Sequence, residues 1–300
     1  MEIDGHDVAI TRPAKVLFPD DEITKGDLIE YYRRIAPAML PHVQDRPLVM
    51  QRYPDGVDGP GFIQKSVAAY YPKWIRRVTV EKVGGVVEHA IANDAATLVY
   101  LSNQACVSFH TWLSRAKHVE CPDQVVWDFD PSRDTDLPGV VAGALALKDL
   151  LDELKMPAYA RATGSRGVHV VVPLAPRQDF DTVRAFSRRL AGILVARDPA
   201  RFTLEQRKAG RGARIFIDTN RNGYAQSAIA TYSVRARPGA PVAVPLDWSE
   251  LRKKSFRPDA YNIRNVFERL QKFPDPWKDF RRRAVSLQAA GRRLDRLHAA

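Results

Sequence analysis

Gln124-Val-Val-Trp-Asp-Phe-Asp-Pro131 is a run of β-branched and aromatic residues interrupted by two aspartates. This composition predicts a buried β-strand. Successive side chains of a strand point to opposite faces, so Asp128 and Asp130 share one face, about 7 Å apart. Trp127 and Phe129 share the other face. Two carboxylates on a buried strand need a counter-charge, commonly a divalent cation, unless one of them instead caps the following turn.

A third carboxylate could complete a cluster with these two. Asp218 ends the predicted strand Arg214-Ile-Phe-Ile-Asp218, with Ile215 and Ile217 on the opposite face. Three carboxylates, with water and phosphate oxygens in the remaining positions, suit Mg²⁺ or Mn²⁺. Two such ions about 4 Å apart suit phosphoryl or nucleotidyl transfer.

Thr163-Gly-Ser-Arg-Gly167 lies between two predicted strands and has the properties of an anion-binding turn. It supplies small residues, backbone N–H groups and a cation. His169 follows on an apolar strand, where it is either a core histidine or a donor to a triphosphate oxygen. Arg235 and Arg237, on one face of a predicted strand around 229–234 and its continuation, either clamp the same group or are surface residues.

Basic and aromatic residues near the N-terminus suggest a second anion site. Lys15 and Lys25 flank a short loop and could meet over one anion. Arg52, Phe62 and Lys65 bracket a Pro/Gly-rich turn. Cations beside an exposed aromatic ring form a platform for a phosphate and a base. Taken singly, each of these could be an ordinary exposed side chain.

The remaining pattern predicts one mixed α/β domain over residues 1–250, followed by a basic, mainly helical extension over 251–300. No internal repeat is present. Helices are predicted over about 24–40, with Thr24 as the N-cap, and over 95–105, 138–156 and 180–197. Besides the strands named above, extended segments are predicted over 46–52, 159–162 and 168–173, with a hairpin over 78–91.

The net charge favours a polyanionic partner, since the 300 residues carry a formal charge of +11 at pH 7. Most of the excess lies in residues 252–300, which hold 14 Lys/Arg against 5 Asp/Glu. That segment is either a solvated helix or a phosphate-contacting tail. The sequence has no apolar run of about 18 residues and no signal peptide, so we expect a soluble, intracellular protein without a membrane partner.

Four motifs, in this order and spacing, resemble the archaeo-eukaryotic primase superfamily: Trp127-Asp-Phe-Asp-Pro131, Thr163-Gly-Ser-Arg-Gly-Val-His169, Ile215-Phe-Ile-Asp218 and Tyr232-Ser-Val-Arg-Ala-Arg237. The likeness is closest to the polymerase domain of bacterial non-homologous end-joining ligase D. It covers residues 8 to 250 or so, and it is supported by Lys15-Val-Leu-Phe-Pro, Arg52-Tyr-Pro-Asp-Gly-Val and Phe62-Ile-Gln-Lys65. It implies an α+β primase-polymerase fold, with two β-sheet modules, flanking helices and an active-site cleft between the modules.

The resemblance also implies roles for individual residues. The catalytic, metal-binding triad would be Asp128, Asp130 and Asp218, holding two Mn²⁺ or Mg²⁺ ions. The residues that hold the nucleotide would be His110, Thr163, Ser165, Arg166, His169 and Arg235. The DNA contacts would be Lys15, Lys25, Arg52, Phe62, Lys65, Lys208, Arg211 and Arg214, with Lys15 and Lys25 reading a 5′-phosphate.

The activity implied is metal-dependent addition of NTPs or dNTPs to DNA 3′ ends, for gap filling and end processing in double-strand break repair by non-homologous end joining. Expected partners are DNA with gaps, overhangs or 5′-phosphate ends, a separate DNA ligase and an end-binding protein of Ku type. The expected location is the bacterial cytoplasm, at the nucleoid. No ligase or nuclease domain accompanies these residues, so we expect a free-standing polymerase or a fragment of a longer chain.

Four alternatives remain open at this point. Within the same class they are a short-gap-filling polymerase of excision repair and a primer-synthesising primase. A non-catalytic DNA-end-binding adaptor is disfavoured because three carboxylates facing DNA phosphates would repel them. A metal-dependent nuclease could use the same triad, but the predicted triphosphate turn with His169 would then have no role.

Overall fold

The carboxylate-bearing strand is one of many short elements in the computed structural model, which describes residues 1–132 and 136–299. Over that range the strands are β1 Glu2–Ile3, β2 His6–Asp7, β3 Val16–Phe18, β4 Ile23–Thr24, β5 Leu48–Arg52, β6 Phe62–Gln64, β7 Arg76–Lys82, β8 Gly85–Ile91, β9 Cys106–Thr111, β10 Gln124–Asp130, β11 Tyr159–Ala162, β12 Val168–Pro173, β13 Phe202–Thr203, β14 Ile215–Asp218, β15 Ala228–Ile229 and β16 Val244–Leu246. The α-helices are α1 Lys25–Val43, α2 Ala95–Asn103, α3 Leu137–Glu153, α4 Phe180–Arg197, α5 Lys208–Arg211, α6 Trp248–Leu251, α7 Val266–Lys272 and α8 Leu287–Ala299.

The chain forms two compact units. Unit 1 comprises Met1–Val119, Ser227–Ala243 and Tyr261–Phe273, and unit 2 comprises Glu120–Gln226, Val244–Ala260 and Pro274–Ala300. The residues predicted as a C-terminal extension are therefore shared between the two units. A domain boundary at residue 250 stays a prediction.

Unit 2 is built on a six-stranded sheet in the order β13-β14-β10-β12-β11-β16. Strand β10 lies between β14 and β12 and is antiparallel to both. Its apolar face is fully buried at Trp127 and Phe129. The indole Nε1 of Trp127 donates to the carbonyl of Ser187, 2.9 Å away on α4. Helices α3 and α4 both pack on β10, so the hydrophobic core of unit 2 lies under the face opposite the aspartates.

Unit 1 contains a four-stranded sheet in the order β15-β9-β5-β6, the β7–β8 hairpin and helices α1 and α2. Helix α1 begins at the predicted cap: the Thr24 hydroxyl accepts from the N–H of Asp27, and the Asp27 carboxylate accepts from the N–H of Thr24. Such reciprocal capping contributes about 1 kcal/mol to helix stability. The hydroxyl of Tyr32 donates to the carbonyl of Val107 at 2.7 Å and fixes α1 against β9.

Most elements predicted from the sequence are confirmed within a few residues, but the strand expected around 229–234 is wrong. Strand β15 ends at Ile229, and Tyr232 has a φ of +64°, so the chain turns there. Beyond it, Val234 pairs in an isolated bridge with Val242. Arg235 and Arg237 therefore do not share a strand face. Within the described residues, no helix is long and apolar enough to cross a membrane.

Candidate active site

One face of the unit 2 sheet carries a row of polar side chains that crosses four strands. Asp218 on β14 is directly opposite Asp128 on β10. Asp128 is in turn opposite His169 on β12, and His169 is opposite Arg161 on β11. Directly opposed side chains in an antiparallel pair have Cβ atoms about 5 Å apart. The sheet register therefore brings together two predicted catalytic aspartates and the predicted nucleotide-binding histidine.

The two opposed aspartates concentrate negative charge. Asp218 is largely buried, and burial raises the pKa of its carboxyl group, with the charge of Asp128 adding to the effect. The backbone N–H of Asn220 donates to Asp218 Oδ1 at 2.8 Å, and Arg221 Nε lies 3.3 Å from Asp218 Oδ2. These contacts compensate only part of the charge, because the pKa remains raised.

Asp130 lies one pleat along the same face and is bound by two arginines. Arg211 Nη1 is 3.2 Å from one carboxylate oxygen, and Arg166 Nη2 is 3.7 Å from the other. The guanidinium of Arg211 is also fixed 4.0 Å above the ring of Phe216 and by two backbone carbonyls of its own loop. The sequence predicts Arg211 as a DNA contact. Its pairing with Asp130 depends on how residues 205–214, which include α5, fold against β10, and no local pattern shows that.

The turn between β11 and β12 is held against the strand that bears the aspartates. The Thr163 hydroxyl donates to the carbonyl of Gly167 at 2.9 Å, and Gly164 has a φ of +66°, which favours glycine. A Cβ atom on Gly167 would lie 2.5 Å from the carbonyl oxygen of Phe129. Glycine at 167 therefore permits the close approach of the turn to β10, where Arg166 reaches Asp130; Ser165 and Arg166 are both partly exposed.

His169 lies under this turn and is only 3% exposed. Its Nε2 is 3.4 Å from Asp128 Oδ2, and its Nδ1 is 2.6 Å from Arg161 Nη2. Burial lowers the pKa of the imidazole, and this effect outweighs the opposing influence of Asp128. Arg161 was missed in the sequence, although an arginine in the short buried strand Tyr159-Ala-Arg-Ala162 needs a polar partner and could have prompted a search for one.

The donor chemistry of the three aspartates fits Mg²⁺ or Mn²⁺, which prefer carboxylate oxygens. Asp128 and Asp218 oppose each other with incompletely compensated charge, which a divalent cation would neutralise. Among residues 1–132 and 136–299, no three His, Cys, Asp or Glu side chains lie close enough together to hold an ion. Asp130 is paired with arginine instead. Binding of an ion at all three would require Asp130 to exchange those arginines for the metal.

Unit 1 contains the predicted anion site. Lys25 is buried, and its Nζ donates to Thr11 Oγ1 at 3.0 Å and to the carbonyl of Asn103 at 3.2 Å. Burial lowers the pKa of Lys25, and the charges of Arg12 and Lys15 lower it further. Three cations are therefore close enough to influence one another, as expected of a site that binds a phosphate. Lys15 also pairs with the exposed Asp55 at 3.0 Å.

The predicted base platform is also in unit 1. Arg52 donates to the carbonyl of Gln104 and to Gln64 Oε1, at 2.7 Å in each case. Its guanidinium lies 5.3 Å from the centre of the Phe62 ring, which is 46% exposed. Lys65 is exposed. The exposed ring backed by a fixed cation has the form that base stacking requires.

The other predicted residues are placed as follows. His110, on β9 opposite Val49 and Ile229, and Arg235 are partly buried in unit 1. In unit 2, Lys208 is exposed, and Arg214 donates to the carbonyls of Arg211 and Gly210 at 2.9 and 2.7 Å. The nucleotide-binding roles of the first two and the DNA-binding roles of the last two stay predictions.

Known proteins are similar to this chain in sequence and in fold. The LigD primase-polymerase domain family matches residues 24–277. The multifunctional non-homologous end joining protein LigD of Pseudomonas aeruginosa is 31% identical over 299 residues, covering 95% of this chain and 34% of that protein. The LigD of Mycolicibacterium smegmatis is 30% identical over 270 residues, covering 89% of this chain and 35% of that protein. The chain thus spans 34–35% of the length of these two relatives.

A solved structure extends the likeness to three dimensions. The polymerase domain from Mycobacterium tuberculosis ligase D, in complex with DNA, superposes with a TM-score of 0.87 at 28% sequence identity. The match covers 93% of this chain and 99% of that one. The chain therefore belongs to the LigD primase-polymerase domain family, which makes it a nucleotidyltransferase with an α+β primase-polymerase fold.

Proposed function

We propose that this chain adds NTPs or dNTPs to the 3′-hydroxyl ends of DNA, filling gaps and processing ends in double-strand break repair by non-homologous end joining. The observation that carries the proposal is the cross-strand row of Asp218, Asp128 and His169 beside the Thr163–Gly167 turn. Opposed carboxylates next to an anion-binding turn suit metal-assisted transfer of a nucleotidyl group. The relatives' names as end-joining proteins support the pathway.

Asp128, Asp130 and Asp218 would hold two Mn²⁺ or Mg²⁺ ions. When bound, the ions would neutralise triphosphate charge and assist deprotonation of the attacking 3′-hydroxyl. The backbone N–H groups and Ser165 hydroxyl of the turn would bind phosphate oxygens, and His169 would donate to another. Arg166, partly exposed and 3.7 Å from Asp130, would contact the nucleotide phosphates once Asp130 binds metal.

The unit 1 residues would bind the DNA. Arg12, Lys15 and Lys25 would bind a 5′-phosphate at the far side of a gap, because their mutual repulsion is relieved by an anion. Phe62, backed by Arg52, would stack on a template base. A separate DNA ligase and an end-binding protein of Ku type would complete the repair, at the bacterial nucleoid.

The deciding experiment is extension of a primer across a one-nucleotide gap that carries a 5′-phosphate, with Mn²⁺ and with NTPs and dNTPs in parallel. Asp128→Ala tests the triad, and Asp181→Asn, an exposed carboxylate on α4, is the matched control. We expect extension by the wild type and the control, weaker extension without the 5′-phosphate, and none by Asp128→Ala.

Each alternative has its own outcome in this assay. No extension by the wild type, with DNA binding intact, would replace the proposal with an end-binding adaptor. Release of nucleotides from the DNA would indicate a nuclease, and synthesis on an unprimed template would indicate a primase. Equal extension with and without the 5′-phosphate would remove the role given to Lys15 and Lys25.

A further inference from the structure

Arg161 is a buried cation that has no role in the proposed mechanism. It is 5% exposed and lies on β11, in register with His169. The 2.6 Å contact between Arg161 Nη2 and His169 Nδ1 joins it to the polar row. Burying a guanidinium is costly unless it makes strong polar contacts, so this position needs a compensating gain.

The chemistry of that contact determines where the imidazole proton lies. A guanidinium carries only N–H donors and stays protonated in proteins. His169 Nδ1 must therefore accept with its lone pair, which leaves the ring proton on Nε2. Nε2 faces Asp128 Oδ2 at 3.4 Å, a group that only accepts when ionised. Both neighbours of the ring thus require the same tautomer.

Two aromatic residues that follow Pro274 in unit 2, Trp277 and Phe280, cover Arg161. The Trp277 ring centre is 5.7 Å from the Arg161 guanidinium carbon. Trp277 Nε1 donates to the carbonyl of Ala160 at 3.0 Å, and its ring stacks on Phe280 at 4.9 Å. Trp277 is itself only 3% exposed. The aromatic pair therefore keeps the guanidinium against the sheet, where it reaches His169.

We propose that Arg161 is a positioning residue that holds His169 in the Nε2–H tautomer, so that the imidazole presents a donor to the nucleotide phosphate, and that Trp277 keeps Arg161 in place. The other tautomer would direct a lone pair at a phosphate oxygen and repel it. The phosphate as ligand rests on the function proposed above. The fixing of the tautomer does not, because it follows from contacts within unit 2.

The first test reads the tautomer directly. In protein labelled with ¹⁵N-histidine, ring nitrogen chemical shifts separate protonated from unprotonated nitrogens, and His169→Gln identifies the His169 signals among those of the seven histidines. We expect unprotonated Nδ1 and protonated Nε2 in the wild type and in Arg161→Lys, which keeps a charged donor. Arg161→Met should show a mixture of tautomers. Arg188→Met, an exposed arginine on α4, is the matched control and should match the wild type.

The second test measures function. Arg161→Met should raise the KM for the incoming nucleotide about two- to fivefold, because only part of the protein then has the Nε2–H tautomer, with kcat changed much less. Arg161→Lys should recover most of the loss. Trp277→Leu, which leaves Arg161 but removes its cover, should give a mixed tautomer and an intermediate KM.

The results separate the two proposals. An unchanged His169 tautomer in folded Arg161→Met overturns the positioning role, whether or not the protein extends primers. A changed tautomer with unchanged KM removes its link to nucleotide binding. If Arg161→Met does not fold, the tautomer in Arg161→Lys and Trp277→Leu decides: wild-type spectra in Trp277→Leu, or a protonated Nδ1 in Arg161→Lys, count against the proposal.

Discussion

Each unit contains a buried histidine on a β-strand, His89 on β8 and His169 on β12. The Nδ1 atoms of the two rings have opposite hydrogen-bonding roles, because one donates and the other accepts. His89 in unit 1 is 2% exposed and His169 in unit 2 is 3% exposed, and burial lowers the pKa of both. His89 Nδ1 lies 2.8 Å from the carbonyl oxygen of Leu48, which only accepts, so this nitrogen carries the proton. His169 Nδ1 faces the donor Arg161 and carries none.

The two histidines also differ in what the rest of the imidazole ring contacts. His89 packs edge-on against Trp112, with ring centres 5.5 Å apart, as a core residue does. His169 faces the carboxylate of Asp128 and lies under the Thr163–Gly167 turn. Burial and a lowered pKa are thus common to a structural and a candidate functional histidine. The chemistry of the partners, not the degree of burial, distinguishes them.

The largest effect is expected from removing the carboxylate that lies opposite Asp128. Asp218→Asn should lower nucleotide addition by about 10³-fold or more, because it removes a proposed metal ligand. The same change should stabilise the protein at neutral pH, since it removes both the cost of burying the carboxylate and its repulsion from Asp128. Primer extension and urea unfolding measure the two effects, with Asp181→Asn as control. Loss of stability, or activity within tenfold of wild type, would contradict the assignment.

The comparison itself is tested by exchanging each histidine for glutamine. His169→Gln should raise the nucleotide KM about tenfold, because a lost charge-assisted hydrogen bond has that effect. His89→Gln should cost about 1–3 kcal/mol of unfolding free energy, through lost packing on Trp112 and a disturbed bond to Leu48, with activity per folded molecule unchanged. Kinetics and urea unfolding of both variants measure these effects. A normal KM in His169→Gln, or a raised one in His89→Gln, would undo the distinction.

The sequence could not have made this distinction, although it predicted much of the site. The two aspartates of β10, the glycine turn and the Thr24 cap are local patterns, and the structure bears out each element. The predicted metal, nucleotide and DNA roles of the site residues stay predictions. The local patterns do not specify the register of the sheet. Asp128 lies opposite Asp218 and His169, which are on strands distant from it in the chain. Arg161 becomes significant only once β11 is aligned with β12.

At Tyr232 the local sequence pattern itself predicts the wrong structure, because tertiary contacts override it. Tyr232-Ser-Val reads as a continuing strand, and its backbone does hydrogen-bond to residues 241–243, but two of its carbonyls accept from side chains of other elements. Tyr31 donates to the Tyr232 carbonyl and Ser108 to the Val234 carbonyl, at 2.6 Å in each case. These tertiary hydrogen bonds satisfy the backbone and permit the left-handed conformation at Tyr232.

A smaller effect is expected from adding metal without DNA or nucleotide. Mn²⁺ at ten times its dissociation constant should stabilise the wild type by about 1.4 kcal/mol. His89→Gln should show the same shift, whereas Asp218→Asn should show little, because it lacks one of the opposed carboxylates. Thermal melting with Mn²⁺ and with EDTA measures the difference. An equal shift in Asp218→Asn would place the bound ion elsewhere.

The smallest effect concerns pH, and here the two histidines should behave alike. Burial lowers the pKa of each in the folded state below the ordinary value of about 6.5, so between the folded and unfolded pKa values the unfolded chain binds more protons. Stability is therefore complete above about pH 6.5 and falls as the pH drops, by at most about 1.4 kcal/mol per unit for each histidine. Urea unfolding between pH 7.5 and pH 5, to be measured at roughly half-unit steps, should give a shallower slope in His89→Gln and in His169→Gln than in the wild type. If only His89→Gln flattens the slope, the charge of Asp128 offsets the burial of His169. The two sites would then differ in electrostatics as well as in tautomer.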